Sequence, residues 1–260
     1  MTFDTIEVDV EQPSRVIRLN RPERRNAVSL KVMDEIITAA KEAEADAATR
    51  ALIITGGENF FSSGADLNDA LAISSPGEGV EYFRRWHRLN DTLEKLAKPV
   101  IAAIEGFCMT GGAELAMACD IRIAGRGASF AITSCKIGTV AGAGGTQRLP
   151  RIVGAAKALE IMFSGEPVDA AEAHRIGLVN RLVARGDALL HAKEMARTYA
   201  QRAPLSLAWV KRAVYSGMQM DLGSALEFET FLAATIYATG DRKEGISAFL
   251  EKRSASFSGR

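Results

Sequence analysis

Two short segments with almost no polar side chain, ALIIT at 51–55 and PVIAAI at 99–104, limit what this chain can become. Runs this brief and this apolar read as strands buried on both faces. The first ends in Gly56-Gly57 and the second at Glu105. Around them the hydrophobic period changes. Leu30, Met33, Ile36, Ile37 and Ala40 follow Ser29 at helical spacing, which predicts a helix with Ser29 as its N-cap. Further helices are predicted from about Glu78 to Ala97, at AELAMA (113–118) and at AAKALEIMF (155–163). TIEVDVE and RVIRLN, separated by Gln12-Pro13-Ser14, read as a hairpin. From Asp187 the pattern is almost wholly helical, over 187–202, 205–218, 222–237 and 241–252, with Pro204 and Gly240 as punctuation. The expectation is an α/β core over residues 1–185 and a helical region over 186–260, packed on the core or on a neighbouring subunit.

A chain of 260 residues, 47% of them hydrophobic, can bury a full core. Lys+Arg and Asp+Glu both number 32, so bulk charge gives no reason to expect nucleic acid or an anionic membrane as partner. No apolar run approaches the roughly 18 residues of a membrane helix. The acidic, alternating start MTFDTIEVDVEQ is unlike a signal peptide. Cys108, Cys119 and Cys135 are odd in number and lack metal spacing, so they read as reduced thiols of a cytoplasmic protein. His87, His174 and His191 are isolated, and no metal site is expected.

From Ile121 to Leu159 there is no Asp or Glu, although a quarter of the chain is charged. This zone holds SFAITSCKIGTVAGAGGTQRLP (129–150). Its GAGGTQ lacks the third glycine of a dinucleotide fingerprint and the Gly-Lys-Ser/Thr of a P-loop. A G-x-S-x-G nucleophile elbow is absent from the whole sequence. Two other loops offer backbone N–H groups to an anion: FFSSGADL (60–67), after a buried strand, and TGGAEL (110–115), opening a helix. Two amides converging from them would make an oxyanion hole. The competing reading is that Gly64, Gly111 and Gly112 are turn glycines and that Glu114 is an acid favoured in a first helical turn.

NRPERRNAVS (20–29), FFSSGADL, KPVIAAIEGFCMTGGAELAMACDIRIA (98–124), IGTVAGAGGTQRLPRIVG (137–154) and DRKEGISAFLEKR (241–253) succeed one another nearly end to end. In order and spacing the set resembles the enoyl-CoA hydratase/isomerase (crotonase) family. The resemblance implies a crotonase-like spiral of repeated β-β-α units, followed by C-terminal helices that build a homotrimer or a homohexamer. It implies an acyl-CoA thioester as partner, with no cofactor beyond the coenzyme A carried by the substrate. The Ala65 and Gly111 amides take the oxyanion positions. Arg24, Ser63, Asp66, Leu67, Gly112 and Thr133 fall among the substrate- and CoA-binding positions. Gly142 matches a glycine that helps hold the attacking water, and Glu114 matches one of two catalytic glutamates of the hydratases.

The second glutamate's position carries Ser134. A serine cannot supply a proton at neutral pH as a carboxylic acid can. If the segment is a strand, Cys135 points away from Ser134 and Lys136 shares its face. The expected activity is 2-enoyl-CoA hydration or the reverse dehydration with a single glutamate. Another reaction of the family (isomerase, hydrolase or decarboxylase) and non-catalytic acyl-CoA binding stay open. His87, in the helix FRRWHRLNDTLEKL, is expected to pack or to be partly exposed, and Glu105 is expected to be structural.

Overall fold

The computed structural model describes residues 2–260. Strands β1 (Ile6–Glu11) and β2 (Ser14–Leu19) form the antiparallel hairpin, with Ile6 opposite Leu19. Helix α1 (Leu30–Ala45) follows, and the Ser29 side chain accepts from Val32 N at 3.3 Å, capping it as predicted. The chain then repeats one move: a strand, a shorter strand, then helix. The first turn is β3 (Ala51–Thr55), β4 (Phe60–Ser62), α2 (Leu67–Leu71) and α3 (Pro76–Lys95). The second is β5 (Val100–Ile104), β6 (Phe107–Met109) and α4 (Gly111–Met117). The third is β7 (Ile121–Gly125), β8 (Ser129–Ala131), α5 (Gly145–Val153) and α6 (Ala155–Ser164). β9 (Val168–Asp169), α7 (Ala170–Arg175) and β10 (Arg181–Val183) close the spiral. Helices α8 (Ala188–Ala200), α9 (Pro204–Gly217), α10 (Leu222–Ile236) and α11 (Gly240–Leu250) complete the chain.

Each turn gives one strand to each of two sheets. The longer strands build a six-stranded sheet in the order β1-β2-β3-β5-β7-β10, parallel from β2 onward; the short ones build a second sheet, β4-β6-β8-β9. The apolar runs are continuous because both faces of the larger sheet are covered. Leu52, Ile54, Val100, Ala102 and Ile104 face the core shared with α1, α3 and α4. Ala51, Ile53, Ile101 and Ala103 face Ala188, Ala192 and Ala196 of α8, small residues one turn apart that let the helix lie close to the sheet. Each fully buried Leu or Ile contributes about 1.5–3 kcal/mol. Glu105 fixes the start of α8: its Oε1 accepts from Gly186 N at 3.0 Å and Ala188 N at 3.1 Å. That is a structural role for Glu105, at a helix end where negative charge is favoured.

Helix α9 is tied to the core by Lys211, whose Nζ lies 2.8 Å from Asp120 Oδ2 and donates to the Leu93 carbonyl at 3.0 Å. The Tyr215 hydroxyl donates to Asp120 Oδ1 at 3.0 Å. Arg212 sits between the rings of Trp209 and Phe228 and links α9 to α10. The outer faces of α10 and α11 stay apolar and exposed, with Leu222, Phe231, Phe249 and Leu250 foremost. Among the described residues no helix is long and apolar enough to cross a membrane.

Candidate active site

The two amide-bearing loops meet at a cleft of about 390 Å³ between α3, the start of α4 and the segment 133–143. The 64–66 loop is pinned to Val28: Val28 N donates to the Gly64 carbonyl at 2.7 Å, and Asp66 N donates to the Val28 carbonyl at 3.0 Å. The other loop turns sharply at Thr110, a non-glycine residue at φ 41°, a conformation that costs about 1–3 kcal/mol. It is held there by Thr110 N donating to the Ala131 carbonyl at 2.7 Å and by a 2.8 Å contact between the Thr110 and Thr133 hydroxyls. Between these anchors the Ala65 and Gly111 N–H groups donate to no protein acceptor among the described residues. The approach is close. A Cβ added to Gly111 would lie 3.0 Å from Ala65 N and 2.9 Å from the Trp86 ring, so only glycine fits.

Glu114 enters the same cleft from the first turn of α4 and is 2% exposed. Gly145 N donates to its Oε1 at 2.7 Å. Burial pushes its pKa up from 4.5 to about 7, against the opposing pull of the Gly145 and Ala143 amides and the Arg148 charge. The site therefore holds a carboxyl group that exchanges its proton near neutral pH.

Of the other predicted site residues, Arg24, Ser63, Asp66, Leu67, Thr133, Ser134 and Gly142 line the cleft. Asp66 is tied down by Arg21 Nη1 at 2.9 Å and caps α2 through Asn68 N at 3.0 Å. Gly112 does not line the cleft. Its α-carbon faces the second sheet, where a Cβ would stand 2.7 Å from Ser62 Cβ. Ser134 is buried, and its hydroxyl has no protein hydrogen-bond partner among the described residues.

One local expectation is corrected. Residues Ser134–Ile137 form a single 3-10 turn, because β8 ends at Ala131 and Thr133 leaves extended geometry at ψ 7°. The strand alternation that would place Lys136 on the face of Ser134 is absent. Both Cys135 and Lys136 are exposed, and Lys136 pairs with Glu166 at 2.7 Å. Sequence reasoning also missed the wall made by α3, where Tyr82, Phe83 and Trp86 face the cleft. Their spacing of one and four residues was visible, yet it does not distinguish a site wall from core packing.

The sequence profile of the enoyl-CoA hydratase/isomerase family matches residues 11–260. The chain is 38% identical to the crotonyl-CoA hydratase of Syntrophomonas wolfei, over 99% of each protein. It is 37% identical to the short-chain-enoyl-CoA hydratase of Clostridium acetobutylicum, over 97% of each. Its fold superposes on the crystal structure of the enoyl-CoA hydratase from Bacillus anthracis with a TM-score of 0.93, at 35% identity, covering 99% of this chain and 100% of that one.

Proposed function

The chain belongs to the enoyl-CoA hydratase/isomerase family, and on that premise we propose that it adds water across the double bond of 2-enoyl-CoA thioesters, or runs the reverse dehydration, with Glu114 as its one acid–base group. The observation that carries this reading is the buried carboxyl of Glu114 in one cleft with two N–H groups that have no protein acceptor among the described residues.

In this scheme the thioester oxygen accepts hydrogen bonds from Ala65 N and Gly111 N. Negative charge develops on that oxygen as the β-carbon is attacked, and each preorganised donor stabilises it by roughly 3–4 kcal/mol. The Glu114 carboxylate takes a proton from water while the hydroxide portion bonds to the β-carbon. The electron pair of the double bond moves to the enolate. Glu114, now protonated, returns that proton to the α-carbon, and the atoms of one water are accounted for. The Gly142 backbone helps hold the water, Arg24 and Ser63 meet the CoA at the cleft mouth, and Asp66 and Leu67 line its path. Thr133 steadies the Thr110 turn that presents Gly111. No cofactor enters the scheme beyond the CoA of the substrate.

Ser134 supports a single-carboxylate scheme over the two-carboxylate one. We further infer a homotrimer or homohexamer joined through the exposed apolar faces of α10 and α11, and a cytoplasmic location consistent with the free thiols Cys108, Cys119 and Cys135. The test is a screen of acyl-CoA thioesters by mass spectrometry, followed by enoyl absorbance for the best substrate. A gain of one water is expected, and Glu114→Gln should lower the rate roughly 100-fold or more. Loss of CoA or of a carboxyl group, or full activity in the variant, would overturn the proposal.

A further inference from the structure

Resting on the reading that Glu114 moves the proton, we propose that Arg148 is a positioning residue for Glu114, acting through the Gly144–Gly145 peptide and tying that peptide to α3. Gly145 N donates to Glu114 Oε1 at 2.7 Å. This N–H is the first of α5 and shares one rigid plane with the Gly144 carbonyl. Both glycines pack against a charged side chain. A Cβ added to Gly145 would stand 2.9 Å from Glu114 Oε1, and one added to Gly144 would collide with Arg148 Nη1. The peptide that holds the carboxylate is thus bracketed by the carboxylate at one residue and by the guanidinium at the other.

The Gly144 carbonyl accepts from Arg148 N at 2.7 Å and Gln147 N at 3.0 Å, so the peptide moves with the first turn of α5. The Arg148 side chain carries that turn across to α3. Its Nη2 donates to Glu94 Oε2 at 2.7 Å and lies 3.7 Å from Asp91 Oδ1. One turn before Glu94, Asn90 donates to the Ala143 carbonyl at 2.7 Å and holds the peptide that precedes Gly144. Helix α3 therefore grips the chain before the glycine pair through Asn90 and after it through Arg148. Gly144 itself stands at φ 110°, where glycine has no steric wall to keep it, so these outside holds matter. The Arg148 side chain is only 17% exposed, and its Nε is buried with no protein acceptor among the described residues. An ion pair with Glu94 alone gains little from such burial. A cation seated there also favours the carboxylate form of Glu114.

The charged and titratable groups near the two ends are few. Glu114 feels Arg148 of α5 and lies near the Tyr82 phenol of α3. Arg148 faces Glu94 and Asp91 of α3. His87, also of α3, has its Nε2 2.9 Å from the Gly142 carbonyl oxygen, two residues before Gly144.

The test compares Arg148→Met with Arg148→Lys in the full-length protein. The first keeps a stem of similar length and loses the cation; the second keeps a cation for Glu94. Two quantities are read. One is kcat and KM for a 2-enoyl-CoA. The other is the titration of Glu114 in the ligand-free protein by 13C-carboxyl NMR, its resonance assigned by its absence in Glu114→Gln. The expected result for Arg148→Met is a kcat lowered roughly tenfold at unchanged KM, with the Glu114 midpoint moved to higher pH; Arg148→Lys should recover part of both. A Glu114 midpoint unmoved in Arg148→Met would leave Arg148 a brace between helices and overturn the proposal. So would a Lys variant no better than the Met variant, or a raised KM at unchanged kcat. The NMR titration needs no turnover, so it tests the coupling even if hydration is not the reaction. Unaltered turnover in Glu114→Gln, by contrast, would sink the functional reading alone.

Discussion

Glu114→Gln should gain stability relative to the wild type as pH rises, while losing most of its activity. Buried at 2% exposure, the carboxyl titrates near 7 in the folded protein and at its ordinary 4.5 in the unfolded chain. Between these two pH values folding takes up a proton. The sign follows: the folded state has its full stability below about pH 4.5, and loses it as pH rises through 7, because an ionised carboxylate must then stay buried. At about 1.4 kcal/mol for each pH unit separating the two titrations, the loss is roughly 3 kcal/mol in full, most of it between pH 5 and 8. Gln does not titrate. Its Oε1 can keep the bond from Gly145 N, and any cost of burying its NH2 group is the same at every pH. The quantity to follow is therefore the difference in unfolding free energy between variant and wild type, from urea titrations at one protein concentration and at pH 5, 6, 7 and 8. The difference should shift in favour of the variant by roughly 2–3 kcal/mol across that range. A difference constant to within about 0.5 kcal/mol would refute the premise that this carboxyl is buried with a raised pKa.

Gly142→Ala places a Cβ 2.5 Å from Phe83 Cε1. The overpacking costs about 1–3 kcal/mol and should displace the loop that holds Glu114, so kcat falls while CoA binding persists; Phe83→Leu in the same chain should recover part of the loss. Full activity in the single variant would show that this contact does not govern the loop. Lys211→Met leaves the half-buried Asp120 without its cation but with its bonds from Val100 N and the Tyr215 hydroxyl, which should cost about 1–3 kcal/mol and lower the thermal midpoint; an unchanged midpoint would remove Lys211 from the attachment of α9.

Much of the larger sheet was legible because burial on both faces writes itself as an unbroken apolar run, as in β3 and β5. The Ser29 cap and the long helices were legible from spacing and capping chemistry. The second sheet was not, since strands of two or three residues such as β6 and β9 carry no period. The turn at Ser134 was misread for a similar reason: ITSCKI contains β-branched residues, and only the geometry of Thr133 shows that extension has ended. In the site, the glycines advertised the two loops, but their convergence is a property of tertiary structure. Thr110 gave no signal at all, because a threonine at positive φ is tolerated only where Ala131 and Thr133 hold it. His87 was noticed as a lone histidine, yet nothing in sequence ties it to a carbonyl 55 residues away.

The two walls of the cleft are built by different means, and this bears on how one carboxylate can suffice. The anion site and the hold on Glu114 are made by backbone N–H groups at Ala65, Gly111 and Gly145, so they are fixed by the fold. Ser134 belongs to a short 3-10 turn whose bonds from Thr139 go to its carbonyl, so its side chain changes without disturbing them. The thioester site is thus separable from the second acid. If Glu114 alone carries the proton, it begins as a carboxylate in hydration, where it deprotonates water. It also begins as a carboxylate in dehydration, where it removes the α-proton. Both directions then need the ionised form, and kcat/KM, which reports the free enzyme, should rise with pH through about 7 and level off, with no falling limb. A two-carboxylate site needs one partner protonated and gives a bell. Ser134→Glu should accordingly raise the hydration rate and bring a falling limb with it. A bell in the wild type, or a Glu variant that binds CoA but is neither faster nor bell-shaped, would refute the single-carboxylate scheme.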